Sequence, residues 1–99
     1  MYVAVSRITL HLSASQSLKS KRGVVRSLVA RVRQRFNVAI AETGDAELWQ
    51  MAEMGLACVS NSPGHATEMV DEAVRFIEEE VLGQAEVIHR ETQVLPGPE

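Results

Sequence analysis

The chain has 99 residues, 45% of them hydrophobic and 23% charged, with a formal net charge of -3. That length fits one domain with a thin core, no apolar run approaches the roughly 18 residues that a membrane-spanning helix needs, and the single cysteine, Cys58, excludes an intrachain disulfide. The N-terminus alternates apolar with polar residues instead of placing a basic lead before an apolar stretch, so it reads as a strand and not a signal peptide; the expected location is the cytoplasm.

Residues 2–12 alternate, with Tyr2, Ala4, Ser6, Ile8, Leu10 and Leu12 on one face and Val3, Val5, Arg7, Thr9 and His11 on the other. Period two predicts a strand whose first set faces the core. After a serine-rich stretch, Ser17 is a helix N-cap, its hydroxyl free to accept from a first-turn N–H. Leu18, Val25, Val29, Val32 and Phe36 recur at helical spacing, and Leu28 widens that stripe. Asn37 tolerates the left-handed conformation and marks the stop.

Val38–Ala41 reads as a short second strand, broken by the turn residues Thr43-Gly44-Asp45. Leu48–Ser60 reads as the third, apolar on both faces. Ser62 and Pro63 open a second helix, with Ala66, Met69, Val70, Ala73 and Ile77 inward, Glu68, Asp71, Glu72, Glu78 and Glu79 outward, and Gly83 at its end. Residues 85–95 form a fourth, polar strand. There Val87, His89, Glu91, Gln93 and Leu95 oppose Ile88, Arg90, Thr92 and Val94. Residues 96–99, Pro-Gly-Pro-Glu, form a flexible tail.

The order β-α-β-β-α-β is the split βαβ, or ferredoxin-like, pattern. The expected fold is α+β: a single domain over residues 1–95, its four-stranded antiparallel sheet carrying both helices on one face. The other face then meets water or a partner, and its valines make a second subunit the expected cover.

Charge is unevenly distributed. Residues 1–41 hold eight of the ten basic residues and none of the thirteen acids. Such a split marks either an anionic partner or two elements that attract each other within the fold. Lys19, Lys21 and Arg22 crowd the start of the first helix, where the helix dipole disfavours cations and favours a bound anion. Lys19, Arg22, Arg26 and Arg33 fall on one flank at helical spacing, a row able to follow a phosphate backbone. The candidate phosphate- or RNA-binding residues are therefore Ser17, Lys19, Lys21, Arg22, Arg26 and Arg33.

Elsewhere the sequence offers less chemistry. Tyr2, Phe36, Trp49 and Phe76 are the only aromatics, too few and too scattered for base readout of the RNA-recognition type. Trp49 is expected to pack in the core or at an edge. His11, His65, His89 and Cys58 have no metal-ligand spacing, and Cys58 reads as a small buried hydrophobe. Glu42, Asp45 and Glu47 cluster at a turn, where solvated carboxylates are expected. No phosphate loop, nucleophile elbow or Cys-x-x-Cys is present, so neither an enzymatic activity nor a cofactor is expected.

The run Ser17-Leu18-Lys19-Ser20-Lys21-Arg22, continuing through Val25 to Arg35-Phe36-Asn37-Val38, resembles the YlxP-like bacterial proteins, a family of unknown function. Ala41-Glu42, Leu48-Trp49-Gln50 and Gly55–Asn61 extend the resemblance over roughly residues 1–95. It implies a ferredoxin-like fold. Members are often encoded beside translation-initiation and ribosome-maturation genes, which implies an RNA or ribosome connection, but no activity is established and no catalytic residue carries over. Ser20 stands where the family often has Glu, which removes the reciprocal capping box with Ser17. Three functions follow as expectations: an accessory protein binding RNA backbone or ribosome through the first helix; a homo-oligomeric interaction module joined by its sheet face; and a small-metabolite-binding regulatory domain.

Overall fold

The computed structural model describes all of residues 1–99. Its elements are β1 (Tyr2–His11), α1 (Leu18–Arg35), β2 (Ala39–Gly44), β3 (Met51–Ser60), α2 (Pro63–Glu80) and β4 (Glu86–Pro96). The strands form one antiparallel sheet in the order β2-β3-β1-β4, and both helices lie on the same face. This is the ferredoxin-like arrangement that the element order predicts.

Alternation decides which side of the sheet each residue occupies. Ala4, Ser6, Ile8 and Leu10 of β1 and Ala52, Met54, Leu56 and Cys58 of β3 are buried beneath the helices. From α2, Ala66, Val70, Ala73, Val74 and Ile77 meet them. Serine hydroxyls start both helices: Ser17 accepts from the Ser20 N–H at 3.0 Å and Ser62 from the His65 N–H at 3.3 Å. At the other end, α1 stops at Arg35 with Phe36 as its cap, and the Phe36 ring meets Phe76 of α2 edge-on, centroids 5.5 Å apart.

Three features of the strands differ from the sequence expectation. β3 begins at Met51, so Leu48, Trp49 and Gln50 belong to the β2–β3 turn. Asp45 opens that turn in the left-handed region at φ 60°, a conformation Asp tolerates better than most residues because its short side chain bonds locally. β2 runs on to Gly44 past an irregularity at Thr43. In β4 the expected alternation breaks: Thr9 pairs with His89 but Leu10 pairs with Val87, so Ile88 is an extra, exposed residue in a bulge. The bulge turns Val87 toward the core, while His89, Glu91, Gln93 and Leu95 stay on the open face opposite Thr9, Arg7, Val5 and Val3.

Candidate nucleic-acid interface

α1 carries seven of the chain's ten cations, and the fold sorts them by their angle around the helix. At about 100° per residue, the buried stripe of α1 is Lys21, Val25, Leu28 and Val32. Lys19, Arg22, Arg26 and Arg33 fall within an arc of about 60° on a wet flank centred about 120° around the helix from that stripe. All four are exposed.

Lys21 does not belong to that surface. Its side chain is wholly buried, and its ammonium donates to the carbonyls of Asp45 at 2.7 Å, Met51 at 3.0 Å and Ala46 at 3.3 Å. Three acceptors match the three N–H bonds of an ammonium. Glu42 Oε2 sits 3.0 Å from Nζ without being one of those hydrogen-bond partners, a charge contact shut off from water. Lys21 is therefore corrected from phosphate ligand to internal post: it fastens the β2–β3 turn to the first turn of α1. The signal was present in the sequence, since Lys21 stands four residues before Val25 on the buried stripe, but a lysine there reads as surface by default.

The remaining cations divide by partner. Arg31 pairs with Glu80 of α2 at 2.8 Å. Arg35 lies over the Phe76 ring, 5.0 Å from its centroid. Arg33 donates one of its five N–H bonds to the Ile40 carbonyl at 3.0 Å, reaching the rim of β2. Lys19, Arg22 and Arg26 have no carboxylate within 4.0 Å. The mutual attraction of basic and acidic helices thus amounts to one ion pair, Arg31–Glu80. A second pair, Arg90–Asp71, ties α2 to β4 instead. Glu68, Glu72, Glu78 and Glu79 of α2 stay in solvent. Ser17, the sixth candidate, uses one oxygen lone pair on the helix cap and keeps its O–H available as a donor.

Three concavities flank this helix or its neighbours. A cleft of about 610 Å³ between α1 and α2 is lined by Ser17, Lys19, Ser20, Ser27 and Gln84, with the neutralised Arg31–Glu80 pair at one side. A depression of about 960 Å³ on the open sheet face is floored by Ala39, Ala41, Gly55 and Ala57, and Arg33 reaches it around the β2 rim. The third, about 450 Å³, lies by Phe36 and Phe76. Beside the second, Arg7 pairs with Glu91 at 3.0 Å and approaches Glu53 at 3.9 Å, and His89 meets Glu91 at 2.8 Å. The His89 and Arg7 hydrogen bonds hold the Glu91 carboxyl below its ordinary range.

His65 bonds the Ser60 hydroxyl at 3.0 Å, and no three His, Cys, Asp or Glu side chains gather where they could hold a metal. Trp49 departs from expectation. It lies in the turn fastened by Lys21, 47% exposed, with Leu48 beside it at 48%.

A family model described as "Protein of unknown function (DUF503)" matches residues 3–92. The uncharacterized protein YlxP of Bacillus subtilis (strain 168) is 37% identical over 62 residues, covering 63% of this chain and 67% of that protein. Among solved structures, a de novo designed protein with a ferredoxin fold superposes at a TM-score of 0.58 with 15% identity, covering all of this chain and 90% of the design. A crystal structure of a protein named as a chlorite dismutase superposes at 0.57 with 11% identity; it covers 95% of this chain, which spans only 44% of that protein. At these identities the two structures establish the fold alone.

Proposed function

We propose that this chain, which belongs to the DUF503 family of proteins of unknown function, is a non-enzymatic accessory protein that holds RNA, ribosomal RNA included, by its phosphates along the outer flank of α1. One observation carries this reading. In a protein with thirteen acids, Lys19, Arg22 and Arg26 stand in a row with no carboxylate within reach, and Arg33 extends the row to the rim of β2. Cations gathered on one side gain little from the fold itself, because exposed pairs contribute only about 0–1 kcal/mol each. They gain much from a polyanion, because each neutralised phosphate releases a counterion. The solvated carboxylates of α2 disfavour a polyanion on that helix and so favour the α1 flank over it.

The test is an anisotropy titration with ribosomal RNA fragments at several salt concentrations. Four phosphate contacts give a slope of log affinity against log salt of about -3 to -4. Reversing charge at Arg22→Glu and Arg26→Glu together should remove about half of that slope. Binding unchanged by the double reversal refutes the proposal.

The open sheet face supports a second reading, association of two copies of this chain. Val3, Val5, Ala57, Val59 and Leu95 lie there, with Val59 61% exposed, and the charges among them are already paired as Arg7, Glu53 and Glu91. Arg7 balances only one of the two carboxylates, so each such face buries one further negative charge, whose contacts are His89 on Glu91 and the Thr43 hydroxyl on Glu53. Three strands about 33 Å long and the shorter β2 of about 20 Å, spaced about 4.8 Å apart, offer roughly 570 Å² per copy, at the lower end of stable interfaces. Light scattering on the wild type and on Val59→Lys decides this reading: a dimer that the lysine dissociates supports it, and a monomer at all concentrations refutes it.

A further inference from the structure

We infer that Trp49 is a stacking platform for an unpaired base of the strand whose phosphates follow the α1 flank, an inference that rests on the phosphate-binding reading above. Trp49 is the chain's only tryptophan, and the fold leaves it half-exposed in a turn beside an equally exposed Leu48. A large aromatic contributes most when covered on both faces, and here the core covers neither Leu48 nor Trp49 fully. The turn is not a loose one. Lys21 donates to Asp45, Ala46 and Met51 on either side of the pair, the Leu48 N–H donates to the Asp45 carbonyl at 3.0 Å, and the Leu12 N–H donates to the Gln50 carbonyl at 2.8 Å.

The post that fixes the turn stands between Lys19 and Arg22, so the turn and the first two cations of the flank lie at the same end of α1, with Lys21 directed inward and the two cations outward. The turn itself carries Asp45 and Glu47, both exposed and neither paired. Two carboxylates repel phosphate from the turn while leaving the aromatic face open to a base, which every nucleotide supplies whatever its sequence. The occupant that fits is a single strand or loop of RNA, with its backbone along Lys19, Arg22 and Arg26 and one base over Trp49.

The experiment compares a labelled single-stranded RNA decamer with an abasic strand of the same length, following label anisotropy and the emission of Trp49 together. The decamer should quench Trp49; the abasic strand should bind without quenching and about 5- to 150-fold more weakly, the range for one lost stack. Trp49→Ala should bind the decamer as weakly as the wild type binds the abasic strand, and Trp49→Phe should recover part of the difference. Both variants lie at an exposed turn, and circular dichroism verifies their folding. If both strands bind alike and Trp49 stays unquenched, the platform is refuted while the phosphate-binding flank stands. If neither strand binds, the flank reading fails and takes the platform with it. If Trp49 emission responds to protein concentration and not to RNA, Trp49 belongs to a protein interface and the inference is overturned.

Discussion

Replacing Lys21 by methionine isolates the energetic role of one buried ammonium. Methionine fills nearly the same volume, so the substitution removes donors and charge without opening a large cavity. It strips the ammonium from the Asp45, Ala46 and Met51 carbonyls and leaves the Glu42 carboxylate facing a thioether. An acceptor left unpaired in the interior costs about 1–3 kcal/mol, and removing one member of a buried ion pair costs about 3–5 kcal/mol. These overlap rather than add, because the same nitrogen serves all four oxygens. The expected loss is about 3–5 kcal/mol, a large part of the roughly 5–15 kcal/mol that holds a small domain together. For a domain of this size it lowers Tm by about 12–40 °C. Urea unfolding followed by circular dichroism gives the global loss, and hydrogen exchange at the Leu48 amide gives the loss within the turn. Glu42→Gln in the Lys21→Met background removes the stranded charge, so the double variant should be more stable than Lys21→Met alone. A Lys21→Met protein within 1 kcal/mol of the wild type, with Leu48 equally protected, would refute the reasoning.

Other perturbations act through simpler physics. Ser62→Ala removes the cap accepting from the His65 N–H and should cost about 0.5–2 kcal/mol in chemical denaturation. Gly83 adopts φ +83° with open space where a Cβ would go, so Gly83→Ala should cost about 1–2 kcal/mol by backbone strain alone. Cys58 is buried, and a thiol reagent should modify it only at the rate of unfolding. The Glu91 carboxyl titrates low because His89 and Arg7 favour its charged form. Its contribution to folding is present above the ordinary carboxylate range and disappears as pH falls through the lowered value. Carbon-detected NMR titration should show that midpoint rising toward normal in His89→Ala and in Arg7→Ala.

Period and punctuation made the fold legible. Alternation from Tyr2 to Leu12, the stripe on each helix, and Ser17, Ser62 and Pro63 as start signals define the element order and the inner face of the sheet. What remained hidden depends on tertiary geometry. Lys21 carries the right spacing for burial, but only the β2–β3 turn, brought 24 residues back to meet it, supplies the carbonyls that make burial tolerable. Trp49 follows turn residues and precedes an apolar run, so no local pattern separates the end of the turn from the start of β3. The bulge at Ile88 shifts Glu86 and Val87 by one position relative to the rest of β4, and nothing in the residues around it announces the shift. The cationic flank was visible as a spacing of charges; its lack of internal partners became visible only once the acids of α2 had been located.

The outermost strands have a further consequence. β2 is short and irregular at Thr43, and Arg33 occupies the oxygen of Ile40 with a charged group. β4 is long, but it is broken at Ile88 and bears Glu86, His89, Arg90 and Glu91. A bare rim would template the addition of another chain's strand. Copies brought to high local density would meet under the condition in which sheets extend into fibrils. Bulges and charge at both rims let such copies stand side by side without merging.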